Sequence, residues 1–447
     1  MSRWLYSQLL RVALPFAMLG FLWRRWRSPA YRGSLRERLG WSLQPRIDRP
    51  MWLHAASVGE VRALAALLRA LHADATPLLV TVGTPTGLAR AREMFADLCN
   101  PATGTQAITL QAAPWDLPGS VRRFLRAVRP RVAVFIETEL WPNLVAGACR
   151  TGVPLVLVSA RLSARSLGRY RRFAPQLMCD TVRAFTTIGA QSEADRARFI
   201  ELGADATAVS VIGNLKFDLP TDINQAERGA ALRARWAPQR SLWVAGSTHP
   251  GEEAQCIAAH HELLQRARAA GLALPLLALA PRRPERFAAV AHWLAAQGLQ
   301  VARSSQHADA VAEIVLIDEM GVLTDWYAAG DVAFVGGSLV PVGGHNLLEP
   351  AALGKPVIAG PHGFSAPEVA QRLIEAGGLQ VVTNAEQLAE TLAALLEGST
   401  LARERGALAA AAVAASRGAA TRARALIAAL PAAADLMASR GPPSASG

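Results

Sequence analysis

The segment from Asp331 to His362, DVAFVGGSLVPVGGHNLLEPAALGKPVIAGPH, leaves this chain few folds to choose from. Val332–Val335 is an apolar run of the length of one buried parallel strand. Gly336–Gly344 follows as a loop with four glycines and a proline, a composition that brings backbone close to something. His345–Leu353 reads as a helix, with Asn346 near its cap and Glu349 in its first turn, and Pro356–Ala359 begins another strand. Strand, glycine loop, helix and strand aim a helix N-terminus at the mouth of a sheet. Free N–H groups and the helix dipole there favour an anionic or nucleotide ligand. An ordinary strand-to-helix turn can be written with the same residues. Glu349 tilts the balance, because a carboxylate at that point repels phosphate but accepts bonds from ribose hydroxyls.

The same alternation fills the rest of the chain. Strands are predicted at Pro50–Leu53, Leu78–Val82, Val132–Ile136, Leu155–Val158, Thr186–Ile188 and Val209–Ile212 in the first half. In the second half they fall at Leu242–Ala245, Leu274–Ala280, Ile314–Ile317, Val332–Val335, Pro356–Ala359 and Gln380–Val382. Strands alternating with helices predict an α/β architecture of two doubly wound parallel sheets. At 447 residues, two domains are expected. The polar, proline-bearing Lys216–Thr221 (KFDLPT) reads as the linker. The expected organisation is a membrane anchor over 1–27, a first Rossmann-like domain over 28–220, a second over 221–430 and a flexible tail over 431–447. The alanine-rich Leu401–Ser439 reads as helix, broken at Pro431.

A formal charge of +12 suggests acidic partners: phosphorylated substrate, anionic membrane or nucleic acid. No RNA-binding or zinc-finger signature is present, so nucleic acid ranks last and is not expected as a partner. The four cysteines show neither metal-ligand spacing nor a disulfide framework, as suits a reducing compartment. Arginine carries nearly all the positive charge. The two lysines, Lys216 and Lys355, are either chance survivors or places where a compact ammonium is needed. At the N-terminus, Val12–Trp23 is apolar, but Arg11, Pro15 and Gly20 interrupt the wider window, so it makes a poor membrane span. Tryptophans at 4, 23 and 26 suit an interfacial belt, and Arg24, Arg25, Arg27 and Arg32 form a polybasic flank that stays cytoplasmic. A membrane anchor is expected rather than a cleaved signal peptide; a helix packed on the first domain is the alternative.

Seven blocks follow one another along the chain: HAASVGE, ETELWPN, SARLS, GNLKFD, GSTHPGEE, PRRPERF and GGHNLLEPAALGKPV. In this order they closely resemble the Kdo transferase family of lipopolysaccharide synthesis. These are GT-B glycosyltransferases that move 3-deoxy-manno-octulosonic acid (Kdo) from CMP-Kdo to the lipid A precursor, lipid IVA. The resemblance covers nearly the whole chain after residue 30. It implies a GT-B fold whose two Rossmann-like domains face across a cleft, and a location at the cytoplasmic face of the inner membrane. The expected partners are CMP-Kdo, the lipid A precursor and the anionic membrane.

The resemblance also distributes roles. Glu60 becomes the general base, although Ser57 and Glu60 equally have the S-x-x-E spacing of a capping box. The helix dipole would weaken that base, so burial or the donor's carboxylate must raise its pKa. Glu139 and Lys216 become stabilising residues. Glu137 and Glu139 should point the same way along an extended backbone, and Lys216, beside the linker, should face the cleft. CMP would be held by Pro281 and Arg282, by Met320, Gly321 and Val322, and by Asn346, Leu347, Leu348 and Glu349. Ser247, Thr248 and His249 are expected in a loop at the cleft, His249 with a structural role as its alternative. Arg161 and Arg165, in a run continued by Arg169, Arg171 and Arg172, are either a solvated helix face or a reader of the acceptor's phosphates. Arg283 stands where the family usually has histidine and Val322 where an acidic residue is common, which affects local contacts. No D-x-D pair occurs, and neither a metal nor another cofactor is expected. The absence of G-x-G-x-x-G counts against a dinucleotide dehydrogenase. Two other functions fit less well: a GT-B enzyme using a UDP-sugar on a lipid-linked or glycan acceptor, and a non-catalytic lipid-binding protein on the same fold.

Overall fold

The computed structural model describes residues 1–27, 35–41, 49–99, 108–218, 222, 224–306 and 312–433. They form two compact units, Met1–Pro220 with Ser416–Gly447, and Thr221–Ala415.

The first unit is built on β1 (Met51–Ala55), β2 (Leu78–Val82), β3 (Thr109–Ala112), β4 (Val132–Ile136), β5 (Leu155–Ala160), β6 (Thr187–Ala190) and β7 (Val209–Val211). Every pairing is parallel, in the order β3-β2-β1-β4-β5-β6-β7. β1, β2, β4 and β5 are buried at every position, which is why they read as unbroken apolar runs rather than alternating ones. The strand order reverses between β1 and β4, and ligands of doubly wound sheets bind outside the carboxyl ends of the strands at such a reversal.

The second unit repeats the plan with β8 (Leu242–Thr248), β9 (Leu276–Pro281), β10 (Val301–Arg303), β11 (Ile314–Leu316), β12 (Val332–Val335), β13 (Val357–Ala359) and β14 (Leu379–Val381). The order is β10-β11-β9-β8-β12-β13-β14, all parallel, with the reversal between β8 and β12.

Several sequence expectations need correction. β3 and β10 were not expected; they are edge strands of four and three residues, too short and too polar for an apolar run. The linker reading of KFDLPT fails for its first residues: Leu215–Phe217 is a 3-10 turn with Leu215 and Phe217 buried in the first unit. Positions 219–221 lie outside the described residues. The tail does not stay with the second unit through 430. Its helix Ser399–Ser416 ends before Gly418, whose left-handed φ of +89° breaks the rod well ahead of Pro431. Helix Ala419–Ala428 then buries Ala419, Ala423 and Ile427 in the first core. Asp218 secures it by accepting the N–H groups of Gly418 at 2.6 Å and Ala420 at 2.5 Å. The flexible tail expected beyond falls, from 434, outside the described residues.

The N-terminal helix Arg3–Arg27 carries Pro15 within it and is long and apolar enough to cross a membrane by length and composition. One face docks on the first unit. Tyr6 donates to Asp116 at 2.9 Å, Ser7 donates to Asn143 at 3.0 Å, and Phe21 meets Trp115 edge to face. Leu5, Leu9, Val12, Phe16, Leu19 and Trp23 are exposed along the opposite face at alternating spacings of four and three. Both readings of this segment therefore hold a part of it: it packs on the domain, and it leaves an apolar stripe uncovered. Arg32 of the polybasic flank lies outside the described residues.

Candidate functional site

In the first unit the chemistry gathers at the reversal of strand order. Ser57 caps helix Val58–Ala73, which follows β1. Its hydroxyl accepts from the Glu60 N–H at 3.3 Å and donates to Glu60 Oε1 at 3.1 Å, while Oε2 accepts the Ala56 N–H at 2.5 Å. The capping box is present, reaching back to Ala56 rather than Ser57. Burial, reinforced by the neighbouring charges of Glu139 and Glu137, pushes the Glu60 carboxyl up to about 7. A carboxyl with that value exchanges protons readily at neutral pH, which is what a general base requires.

Glu137 and Glu139 follow β4, the neighbouring strand. They do not share an extended backbone: Glu137 holds a left-handed φ of +57° and turns toward a different partner. Its Oε1 lies 2.6 Å from Lys216 Nζ, an ionic contact rather than a directed hydrogen bond. Lys216 sits in the 3-10 turn capped by Asn214, which accepts its N–H at 2.9 Å, and Ser159 Oγ accepts the Leu215 N–H at 3.2 Å. Glu139 Oε2 accepts from Trp141 Nε1 and lies 3.3 Å from His54 Nε2. The other His54 nitrogen meets Thr81 Oγ1 at 2.9 Å, and Thr81 also accepts from Trp52 Nε1 at 2.8 Å. Glu60, Glu139 and Lys216 are thus brought together, with Glu137 as the link between the lysine and the carboxylates. Arg161 follows β5 at the same sheet edge, its N–H donating to Glu137 O at 3.3 Å, and Arg165 is exposed on helix Ala164–Phe173.

In the second unit the glycine loop Gly336–Gly344 follows β12, beside the reversal. It is not an open cradle of free N–H groups. Glu252, fully buried, accepts from Gly337 at 2.6 Å, Ser338 at 2.9 Å and Leu339 at 2.8 Å, and from the His249 N–H at 3.0 Å. The carboxylate satisfies the donors that a phosphate would otherwise take. Gly343 and Gly344, at φ of +113° and +76°, carry the chain around into His345. The His345 ring stacks on His249 with Nε2 atoms 2.8 Å apart. The expected helix from His345 is shorter, Leu348–Ala352, because Asn346 spends its side chain on the Leu348 N–H at 3.1 Å and on Glu349 at 2.9 Å. A cavity of about 410 Å³ opens beside the loop, bounded by Gly343, His345, Leu347, Phe364 and Gln371. That is within the size range of small-ligand sites.

The other expected residues lie on the same carboxyl edge. Pro281 ends β9, and Arg282 donates its N–H to Thr248 O at 3.0 Å. Met320, Gly321 and Val322 follow β11, with Met320 well exposed. Ser247 and Thr248 are not loop residues but the end of β8. Ser247 is left-handed at φ +59°, and Thr248 is buried, donating to Glu253 at 3.0 Å. Among the described residues no group of three or more His, Cys, Asp or Glu is placed to hold a metal ion.

Residues 33–219 match the family model described as 3-Deoxy-D-manno-octulosonic-acid transferase (kdotransferase). The 3-deoxy-D-manno-octulosonic acid transferase of Haemophilus influenzae is 37% identical over 412 residues, covering 91% of this chain and 93% of its own. The chain belongs to the Kdo transferase family. The Bordetella pertussis transferase is 38% identical over 389 residues, covering 84% and 87%. Among solved structures, the UDP-GlcNAc 2-epimerase of Neisseria meningitidis aligns with a TM-score of 0.52 at 14% identity, over 82% of this chain and 98% of that one. The glycotransferase of kitacinnamycin aligns with a TM-score of 0.51 at 15% identity, over 86% and 100%. These share the GT-B fold.

In this Kdo transferase two positions escaped the sequence reading of the site. His54 opens the HAASVGE block but lies inside an apolar strand, where periodicity gives it no role of its own. Glu252 did leave a signal in GSTHPGEE: it stands three residues after His249, at the reach-back spacing of a helix start.

Proposed function

We propose that the protein transfers Kdo from CMP-Kdo to lipid IVA by a direct, inverting displacement. The observation that carries this is Glu60: a half-buried carboxyl near 7, at the strand reversal, within the field of Glu137 and Glu139. Glu60 takes the proton of the acceptor hydroxyl as that oxygen bonds to the ketosidic carbon of Kdo. The bond from that carbon to the phosphate oxygen breaks, and CMP leaves with the electron pair. Lys216, held by Glu137, meets negative charge on the donor, and Glu139 orients His54 and Trp141 beside the base. The second unit takes CMP: Arg282 and Asn346 toward phosphate, Glu349 toward ribose, and Met320–Val322 toward the base. Arg161 and Arg165 face the phosphates of the acceptor. No role falls to a metal in this scheme, since Lys216 and Arg282 supply the countercharge.

The reading places the enzyme on the cytoplasmic face of the inner membrane, where the CMP-sugar is made. The N-terminal helix lies along the interface rather than across the bilayer. Its docked contacts at Tyr6, Ser7 and Phe21 run nearly its whole length, and its uncovered stripe ends in exposed Trp23 and Trp26. Mass spectrometry of the lipid after incubation with CMP-Kdo and the tetraacylated precursor tests the reaction; a precursor without added Kdo sinks it. Calorimetry with CMP and UMP tests the donor, and UMP binding as tight as CMP rules out the CMP assignment.

A further inference from the structure

A cavity in the first unit lies away from Glu60. It encloses about 870 Å³ and is lined by Arg11, Arg49, Arg122, Arg126, Arg129 and Arg150, with no acidic side chain in its wall among the described residues. We propose that this pocket takes the phosphate of an anionic membrane lipid, a second membrane contact beside the apolar stripe of the N-terminal helix, which itself contributes Arg11. The proposal rests on the interfacial reading of that helix given above.

Position separates the pocket from catalysis. Arg49, Pro130 and Val153 each precede the first residue of β1, β4 or β5 by two positions, whereas Glu60, Glu137 and Arg161 follow the same three strands. The strands are parallel, so pocket and base lie at opposite ends of the sheet, at least about 16 Å apart for five residues of strand.

Charge is the second argument. All six guanidinium side chains are on exposed residues, and among the described residues none has an ion-pair partner. Elsewhere the chain pairs its arginines freely, as in Arg69–Asp97, Arg233–Asp331 and Arg424–Asp74. Arg122, Arg126 and Arg129 follow one another at spacings of four and three along helix Pro118–Val128 and its cap, an arrangement of like charges that destabilises a helix. The helix dipole accounts for Arg126 and Arg150, in the last turns of their helices, but not for Arg11, Arg49 or Arg122. Arg49 and Arg129 also hold left-handed φ values of +44° and +46°, where glycine or asparagine would be unstrained. An anion in the pocket removes the repulsion that the fold leaves standing.

The N-terminal helix decides for a lipid. On a helical wheel Arg11 falls between the docked face, marked by Tyr6, Ser7 and Phe21, and the uncovered stripe from Leu5 to Trp23. A bilayer that receives the stripe brings its headgroup phosphates to the level of Arg11 and the pocket behind it.

The test is flotation of the full chain with phosphatidylcholine vesicles, with and without phosphatidylglycerol. The triple variant Arg122→Gln/Arg126→Gln/Arg129→Gln should bind anionic vesicles about a hundredfold more weakly than wild type, from roughly fivefold per basic side chain, and neutral vesicles equally. Its melting temperature should not fall, because exposed like charges are relieved. Arg11→Gln/Arg49→Gln should move the same way by a smaller factor. Wild-type affinity of the triple variant for anionic vesicles overturns the proposal. So does loss of its turnover on detergent-dispersed acceptor, which would assign the pocket to the acceptor instead. A Leu9→Ser/Phe16→Ser variant that still floats with neutral vesicles refutes the helix reading, and with it the choice of a lipid.

Discussion

Replacing Glu60 by glutamine separates two roles that share one side chain. In the folded protein its carboxyl sits near 7 against an ordinary 4.5, raised by burial and by Glu139. At about 1.36 kcal/mol per pH unit that difference amounts to about 3 kcal/mol. The sign follows from which form the fold prefers. The folded state favours the neutral carboxyl, so the stabilising contribution is complete below 4.5 and is lost as pH rises through about 7. Glutamine is neutral at every pH and keeps an oxygen for the Ala56 N–H, a bond whose effect on the charged form is already contained in the shift. The variant should therefore match wild type below pH 4.5 and exceed it by about 3 kcal/mol near pH 8, a rise of roughly 9 °C in the melting of the first unit. Transfer should fall by about 10²–10⁴-fold with CMP affinity unchanged, and the wild-type rate should climb with pH through about 7. Scanning calorimetry across pH, CMP titration and product mass spectrometry read these three quantities. Parallel melting curves at all pH values would show that the carboxyl is not perturbed. Transfer within a few-fold of wild type would reduce Glu60 to a helix cap.

Lys216→Arg keeps the charge but replaces a compact ammonium with a planar fork against Glu137; turnover should drop at least about tenfold while CMP binding holds, and wild-type turnover would refute a special role for the lysine. Glu252→Ala leaves four backbone N–H groups without their acceptor, each costing about 1–3 kcal/mol, so calorimetry should show the second unit melting far lower and CMP affinity lost; an unchanged melt would mean the loop is held by other contacts. Burial holds His249 below its ordinary value, so its stabilising contribution is complete above 6.5 and is lost as pH falls through the lowered value. Two charged rings cannot share the 2.8 Å contact with His345, and CMP affinity should weaken in acid for wild type but not for His249→Phe.

What could be read from the chain alone divides along physical lines. The central strands were legible because burial on both faces writes them as unbroken apolar runs; β3 and β10, at the edges, carry no such mark. The return of the C-terminal helix to the first unit was not legible, since it depends on Asp218 capping a helix two hundred residues away in sequence. Glu60 was visible through its spacing from Ser57, but its raised value arises first from burial and then from two carboxylates just past a neighbouring strand, neither of which a local pattern reveals.

Lys216 shows the limit most sharply. Its rarity in an arginine-rich chain singled it out, and the structure places it in the cluster with Glu60 and Glu139. Its partner was out of reach of the same reasoning. An extended strand end would have turned Glu137 and Glu139 the same way, whereas the left-handed φ at Glu137 turns that carboxylate to the lysine and leaves Glu139 to His54 and Trp141. A glutamate tolerates that conformation only where its surroundings repay about 1–3 kcal/mol of strain. Ser159 and Ser247, at the ends of β5 and β8, hold the same unusual φ at the carboxyl edges of the two sheets, where the candidate site residues lie. Backbone strain of this kind is decided by partners distant in the chain, and that is why the identities of the site residues could be read while their pairing could not.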